Sequence, residues 1–462
     1  MLEKARAAGP LLSLEGGNSL GPKVVSPPSE VEVQQRRIKA QLIAESLVAD
    51  GTDAMALGAS DWALGTSFVR DLVEKNHLPV LAANLECDGS HPYPASRVLE
   101  SGGHKIGVIG LTTGEVEGCV VGDLREAAKA AVAELGKVDV VLALVPVSTE
   151  RDVRMFAAPS EQAEALGIDV VIDSRGRPAS AGVDEHNRSW FVGAGERQKW
   201  VAFVDLKFAR GASRWMAVGG TEKEEVRLSS LKERYDAMDA RIASASSPEL
   251  QARLTAQKGR YQKEIAELEQ QLASPPDLSH ANTIELHSVE LGADVPDQPA
   301  AAARVKAAKE AVVAASGQDP GQFVPRLVAD TSSAYAGGEA CVACHQKEHA
   351  QWSTTPHARA FQSLVQVNRA LDAQCFSCHV TGANKGGPDE PLSTAGYRDV
   401  QCEACHGPAR GHAADPENVR TQFAKPVPVH CTACHDGEQD QGRFDADKYF
   451  PQILHDAVPA TP

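Results

Sequence analysis

Eight of the ten cysteines in this 462-residue chain lie between Cys341 and Cys434, paired with two residues between them and a histidine directly after each pair. The four segments are Cys341-Val342-Ala343-Cys344-His345, Cys375-Phe376-Ser377-Cys378-His379, Cys402-Glu403-Ala404-Cys405-His406 and Cys431-Thr432-Ala433-Cys434-His435. Two thiols three positions apart on one helical turn reach the two vinyl groups of one porphyrin, and the adjoining histidine sits under the iron as its proximal ligand. A lone motif of this kind would also suit a zinc site or a redox dithiol. Four of them, each with its histidine, predict four covalently bound haem c groups.

The other axial ligands can be counted. The methionines are residues 1, 55, 155, 216 and 238, all outside this region, so bis-His or open sites are expected rather than His/Met. Bis-His ligation favours lower potentials. Five histidines beyond the motifs follow residue 331, namely His349, His357, His412, His430 and His455, and they compete for four distal positions. His349 lies one turn past His345 on the same face and cannot cross its own ring, and His430 abuts Cys431, which makes both the weaker candidates. His357, His412 and His455 are distant enough, or separated by Gly/Pro turns, to approach another haem.

Residues 331–462 number 132, or 33 per haem, too few to insulate each ring. Close haems suit an electron relay. Acidic residues outnumber basic ones by 15 to 10 here, and the whole chain carries a net charge of −16. That balance argues against nucleic acid or an anionic membrane as partner and favours a basic redox partner protein. No apolar run approaches the roughly 18 residues of a membrane span. Covalent haem attachment takes place outside the cytoplasm, so a periplasmic or otherwise extracytoplasmic protein is expected. Met1-Leu2-Glu3-Lys4-Ala5-Arg6 leads into no apolar signal core, so the export signal is expected to be missing from this version of the chain. Cys87 and Cys119 stand apart and read first as ordinary small buried residues, with a disulfide between them as the lesser alternative.

Upstream, short apolar runs alternate with helical stretches. Candidate strands are Leu11–Leu14, Ala54–Leu57, Pro79–Ala83, Ile106–Leu111, Val138–Val145 and Asp169–Ile172, with amphipathic segments Phe68–Lys75 and Leu124–Leu135 between them. Strands this apolar imply a sheet covered by helices on both faces, an α/β domain. From Glu222, apolar residues recur at spacings of three and four (Leu228, Leu231, Tyr235, Met238, Ile242). After Ser247-Pro248 a second seam follows (Leu250, Leu254, Tyr261, Ile265, Leu268, Leu272), predicting an antiparallel helical hairpin over 222–275. Such an arm would pack on its own domain, dock a partner or form a homo-oligomer. Thr283–Leu291 reads as a returning strand and Ala300–Ala315 as a helix. The expected organisation is an α/β domain of residues 1–221 and 276–316, the hairpin 222–275, a linker 317–333 and a mostly α/irregular haem domain 334–462.

The stretch CVACHQKEHAQWSTTPHARAFQSL at Cys341–Leu364 resembles the opening of the cytochrome c-554 family of tetrahaem proteins. CHVTGANKGG and VQCEACHGPARGH are similar to its second and third motifs, and FDADKYFPQILH to its closing segment, so the resemblance covers about 340–455. It implies that His357, His412 and His455 are distal ligands and that one haem, on His379, keeps an open iron position. Ala409 stands where the family usually has glycine, which leaves the neighbouring turn open.

Residues 11–173 resemble the 5′-nucleotidase-like metallophosphoesterases through LLSLEGGNSLG, DAMALGASDWALG, LPVLAANL and GIDVVIDSRGRP. In that family these positions hold two adjacent cations. Here Asn18 occupies an Asp position, Gly58-Ala59-Ser60-Asp61 replaces Gly-Asn-His-Glu, Val145-Pro146 replaces a segment ending in His, and Arg175 and Arg177 stand at two His positions. Arginine would repel a cation. The resemblance therefore implies a pseudoenzyme domain with no di-metal centre and no phosphoesterase activity, serving as a scaffold, a docking module or an anion-binding surface through Arg175 and Arg177. Gly17-Asn18-Ser19-Leu20-Gly21 matches a nucleophile-elbow pattern, but Gly21-Pro22 and Pro27-Pro28 forbid the helix that must follow. Histidines 77, 91, 104, 186, 280 and 287 form no spacing cluster and read as structural or surface residues.

The expected function is electron transfer between extracytoplasmic redox partners. The alternative is a haem oxidoreductase acting on a small nitrogen compound at a five-coordinate iron, and a phosphoesterase with a redox-sensing tail ranks third. Reduction of the chain by a basic partner protein should slow as ionic strength rises in stopped-flow mixing; rates indifferent to salt would contradict an acidic docking face.

Overall fold

The computed structural model describes residues 2–22, 28–160, 162–175, 183–193, 195, 199–218, 221–244, 247–273, 278, 280–292, 295–316, 333–383, 385–387, 396–435 and 444–455. Two compact units emerge, one of Met1–Ser19 with Leu47–Pro296 and the other of Leu20–Ser46 with Asp297–Pro462.

In the first unit Val140–Val145 runs through a six-stranded sheet with every side chain buried. Its neighbours His104–Gly110 and Val170–Asp173 are both parallel to it, Ser189–Gly193 continues the parallel set, and the outer strands Ser96–Ser101 and Asp184–His186 pair antiparallel. The two-residue period of a strand divides this run between two cores. Val141, Ala143 and Val145 pack with Ala128 and Ala131 of helix Leu124–Glu134 and with Val153 and Phe156 of helix Glu150–Ala157. Val140, Leu142 and Leu144 face the other way, toward Trp215 and Ile284. Both helices start on side-chain caps: Asp123 accepts from the Arg125 and Glu126 amides at 2.9 Å, and Thr149 accepts from the Asp152 amide at 3.1 Å.

The chain is α/β as expected, but among the described residues helices cover one sheet face and a second sheet covers the other. The second core is closed by a three-stranded sheet in which Asn282–Glu290 lies between Trp200–Lys207 and Trp215–Ala217. Val204, Leu206, Ile284 and Leu286 form its apolar side, and these alternating residues fit a pleated surface better than a helix. Of the expected strands, Pro79–Ala83 contributes only an isolated bridge, Met55 with Val80.

Cys87 and Cys119 are not free. They sit opposite each other in the antiparallel pair Leu85–Cys87 and Cys119–Val121 and form a disulfide, with Cα atoms 4.2 Å apart. Their separation of 32 residues gave no sign of this, because the pairing depends on strand register.

The helices Thr221–Ala243 and Pro248–Ala273 form the hairpin, with Ser247 Oγ accepting from the Leu250 amide at 3.2 Å. Leu231, Met238, Leu254 and Leu268 are buried in it, so its seam is used internally. Ion pairs Lys232–Glu269 (2.7 Å) and Lys258–Asp239 (2.5 Å) flank the seam.

The second unit includes a helix that hydrophobic patterning did not reveal, Glu30–Ala49, whose residues through Ser46 belong to this unit. Its buried stripe is Gln35, Arg36, Ala40 and Ala44, two polar and two small residues. Helix Pro299–Ala315 also belongs here, so the units divide the chain differently from the boundaries drawn on sequence texture. Of the expected linker 317–333, residues 317–332 lie outside the described residues. A small apolar cluster of Tyr335, Phe361, Leu364, Ala370, Val380, Ala383 and Tyr397 underlies the cysteine-rich region.

Replacing Cys87 and Cys119 together by serine should lower the stability of the first unit by about 2–4 kcal/mol, read as a lower denaturation midpoint than that of the oxidised parent.

Candidate functional site

Each cysteine motif sits on or beside a short helical turn: Gly338–Cys341, Ala373–His379, Cys402–His406 and Pro428–Ala433. The thiols of Cys341 and Cys402 are hydrogen-bonded, as are those of Cys434 and Cys378, and Cys405 lies near Cys431. The four motifs are therefore gathered in one place. The hydrogen bond from Cys341, opposed by burial, lowers Cys402 to about 7 and raises Cys341. Burial pushes Cys375 and Cys405 each up to about 11.

Three pairs of imidazole rings face one another. His345 stands 6.3 Å from His412, His357 6.3 Å from His435, and His406 6.2 Å from His455, measured between ring centroids, with interplanar angles of 39°, 48° and 11°. Direct ring stacking would bring the centroids closer, as in His104 on Phe208 at 3.7 Å. Two imidazoles on opposite sides of one metal ion, each nitrogen about 2 Å from the ion and about 1 Å from its own ring centre, stand about 6 Å apart. All three separations have that value.

Several rings are held by Nδ1. His406 donates to Phe423 O at 2.8 Å, His412 to Val419 O at 2.7 Å, His455 to Gln351 Oε1 at 2.8 Å and His379 to Ala360 O at 2.6 Å. A carbonyl can only accept, so Nδ1 carries the proton and Nε2 keeps the lone pair that binds a metal. Burial, then His435, lowers the pKa of His357. Among the described residues no second imidazole faces His379. His349 lies against Trp352 at 5.3 Å, and His430 packs on Phe423 at 4.3 Å while its Nδ1 accepts from the Val427 amide at 3.5 Å. Neither approaches a motif histidine across such a gap.

Other residues that spacing did not single out build the frame. Glu403, inside the third motif and 2% exposed, accepts from the amides of Ala336 (2.9 Å), Gly337 (2.8 Å) and Ala409 (2.7 Å). Asp399 accepts from the Phe361 amide at 2.8 Å, and Trp352 donates to Val400 O at 2.8 Å while the Val400 amide donates to His357 O at 3.1 Å. Ala409 has φ −129°, which needs no glycine. Gly407 does need to be glycine, with φ 80° and Gln422 Cβ 2.8 Å from where a Cβ would sit.

In the first unit, several of the polar residues singled out in the sequence come together around Asn18. Its Nδ2 donates to Ser174 Oγ (2.9 Å) and Pro146 O (3.2 Å), and its Oδ1 accepts from the Ser60 hydroxyl (2.8 Å) and amide (3.0 Å). Asp61 Oδ2 accepts from the Asn18 and Gly58 amides, both at 2.8 Å. Burial, then Asp61, pushes Glu15 up to about 7. Arg175 is 3% exposed and so offers no anion-binding surface. It donates to both Asp173 oxygens (3.0 and 2.7 Å) and to Glu150 (2.7 Å), and lies 3.8 Å from Asp184. The charge that sequence placed at a surface is consumed inside the fold. Arg177 lies outside the described residues. One further set of ligand-type groups, Asp205, Glu285 and His287, meets on the exposed side of the three-stranded sheet, where Lys207 is 3.5 Å from Glu285.

Similarities to known proteins fall on separate parts of the chain. Residues 340–407 match the family model described as cytochrome c554 and c-prime. Cytochrome c-554 of Nitrosomonas europaea is 31% identical over 111 residues, covering 20% of this chain and 46% of that protein, so the chain spans about half the length of this curated relative. The C-terminal region is thus cytochrome c-554-like, and a cytochrome c family implies covalently bound haem c. Similar solved structures for the N-terminal half include the Thermus thermophilus sulfate thiohydrolase SoxB (23% identity, TM-score 0.36, covering 45% of this chain and 39% of that one). They also include a 5′-nucleotidase precursor from Thermus thermophilus (20%, 0.35, 45% and 44%) and the Haemophilus influenzae NAD nucleotidase (16%, 0.36, 56% and 53%). No helix among the described residues is long and apolar enough to cross a membrane.

Arg175→Met should destabilise the first unit by about 3–5 kcal/mol, because it takes the guanidinium away from both oxygens of the buried Asp173 carboxylate. Denaturant titration checks this; a loss below about 1 kcal/mol would mean that Asp173 finds another partner.

Proposed function

We propose that this chain is a tetrahaem c-type cytochrome that passes electrons between extracytoplasmic redox partners. The observation that carries the reading is the set of three imidazole pairs 6.2–6.3 Å apart, each joining a motif histidine to a histidine from elsewhere in the chain. In this reading Cys341 and Cys344, Cys375 and Cys378, Cys402 and Cys405, and Cys431 and Cys434 anchor one porphyrin each. His345, His379, His406 and His435 are the proximal ligands. The distal ligands are His412 for the first motif, His455 for the third and His357 for the fourth, while His379 has no imidazole opposite among the described residues. When bound, each haem supplies a one-electron iron couple.

The chain's own residues supply position. Nδ1–H bonds fix the rings of His379, His406, His412 and His455, and Glu403 ties the third motif to Ala336 and Gly337. Crowding of the four motifs favours conduction between neighbouring groups. The disulfide between Cys87 and Cys119 supports an oxidising, extracytoplasmic compartment. The N-terminal unit is read as a pseudoenzyme scaffold; the reading is supported by Asn18, Ser60 and Ser174, which are uncharged and hydrogen-bond one another rather than offering the carboxylate and imidazole ligands of a di-metal site. A basic docking partner follows from the acidic charge.

A second reading, a haem oxidoreductase acting on a small nitrogen compound, is favoured by one feature alone: the side of His379 that lacks a facing imidazole.

Intact mass should show four haems on the polypeptide, and magnetic spectroscopy should show three low-spin irons and one high-spin iron that takes up carbon monoxide. His412→Ala, His357→Ala and His455→Ala should each convert one further iron to high spin, whereas His349→Ala and His430→Ala should leave the count unchanged. Four low-spin irons with no carbon monoxide uptake would remove the second reading, and an unchanged spectrum in His357→Ala would remove that ligand.

A further inference from the structure

The helix Glu30–Ala49, far outside the cytochrome-like match at 340–407, reaches the second motif through two neighbouring side chains. Gln35 is fully buried and its amide is fully committed. Nε2 donates to Leu371 O at 2.7 Å and to Val312 O at 3.2 Å, and Oε1 accepts from the Ala373 amide at 2.9 Å. Ala373 is the first residue of helix Ala373–His379, so Gln35 satisfies a backbone donor that the start of a helix leaves unpaired. One turn along, Lys39 Nζ donates to both oxygens of Asp372 (2.7 and 2.8 Å) and to Gln374 Oε1 at 2.5 Å. Asp372 is 3% exposed; it accepts from the Gln374 amide at 3.2 Å and from Arg369 at 3.1 Å. Two residues on one helical face thus hold the first turn of the segment bearing Cys375, Cys378 and His379.

This contact carries charge as well as position. Asp372, paired with Lys39 and Arg369, adjoins one of the two anchors of that porphyrin: the Cys375 amide donates to Asp372 O at 3.0 Å. Oxidised haem iron carries one more positive charge than reduced iron, so a buried carboxylate at this edge favours the oxidised state and a lysine paired with it offsets that preference. A hydrogen-bonded buried pair is screened far less by solvent than a surface pair.

We propose that Gln35 and Lys39 are positioning residues for the haem on His379: Gln35 fixes the start of its helix, and Lys39 raises its potential by neutralising Asp372. This rests on the tetrahaem reading above. It makes the iron on His379, which no second imidazole faces among the described residues, answerable to a helix contributed by the N-terminal part of the sequence, while the other three are set by their own bis-His pairs.

The test is a redox titration of the complete haem-loaded protein, following the high-spin signal separately from the low-spin ones. Lys39→Met should move the high-spin midpoint to more negative potential and leave the three low-spin midpoints in place, and Lys39→Arg should restore the parent value. If Lys39→Met yields little loaded protein, Lys39→Gln removes the same charge while keeping a polar reach to Asp372, and the same shift is expected. Gln35→Ala should accelerate hydrogen exchange at the Ala373 amide by about tenfold or more. An unmoved high-spin midpoint, or an equal shift of all four, would overturn the inference while the tetrahaem reading stands. Protein purified with no thioether-bound haem would overturn both.

Discussion

Imidazole rings held apart at 6.2–6.3 Å organise the C-terminal region. The three pairs stand farther apart than stacked rings, and the Nδ1 groups of His406, His412 and His455 are tied back to Phe423, Val419 and Gln351, which leaves each Nε2 available on the other side of its ring. Most other features of the region follow from keeping those gaps open. Its helices are short, its apolar cluster contains only seven buried residues among those described, and a buried carboxylate, Glu403, fastens turns that a larger core would otherwise hold. A region this poor in side-chain core needs other groups to fill it, and four porphyrins are the proposed filling.

The N-terminal unit solves a different problem. Its sheet carries two cores, and at one end of the strands a cluster of polar groups is buried. Asn18, Asp61, Asp173 and Arg175 satisfy one another and the neighbouring backbone there. Asp173 is buried without great cost because the Arg175 fork meets both its oxygens, and Asp61 because two backbone amides point at it. That compensation comes from within the domain itself.

The two unit boundaries show where reading by pattern stops. The helical hairpin was legible because Leu231, Met238, Leu254 and Leu268 repeat at helical spacing, and Val140–Val145 because an unbroken apolar run must be covered on both faces. Helix Glu30–Ala49 was not legible, because its buried face is made of Gln35, Arg36, Ala40 and Ala44. Gln35 is inside because it meets specific partners on distant segments, Val312, Leu371 and Ala373, and no window of local sequence contains such partners. The covering sheet was missed for a related reason: an apolar face fixes that something must cover it, but not whether a helix or a sheet does so.

Sequence alone determined the spacing-borne features: four CxxCH segments, a C-terminal region without methionine, an α/β N-terminal region and a two-helix arm. Each follows from local covalent order or from a period of two or 3.6 residues. Tertiary structure alone decided which histidine faces which, that Cys87 meets Cys119, that Arg175 turns inward, and that His379 is approached by no second ring among the described residues. Most of those are contacts between residues tens of positions apart, set by strand register and by how turns close. Local spacing states which groups exist, and only the folded chain brings them within bonding distance.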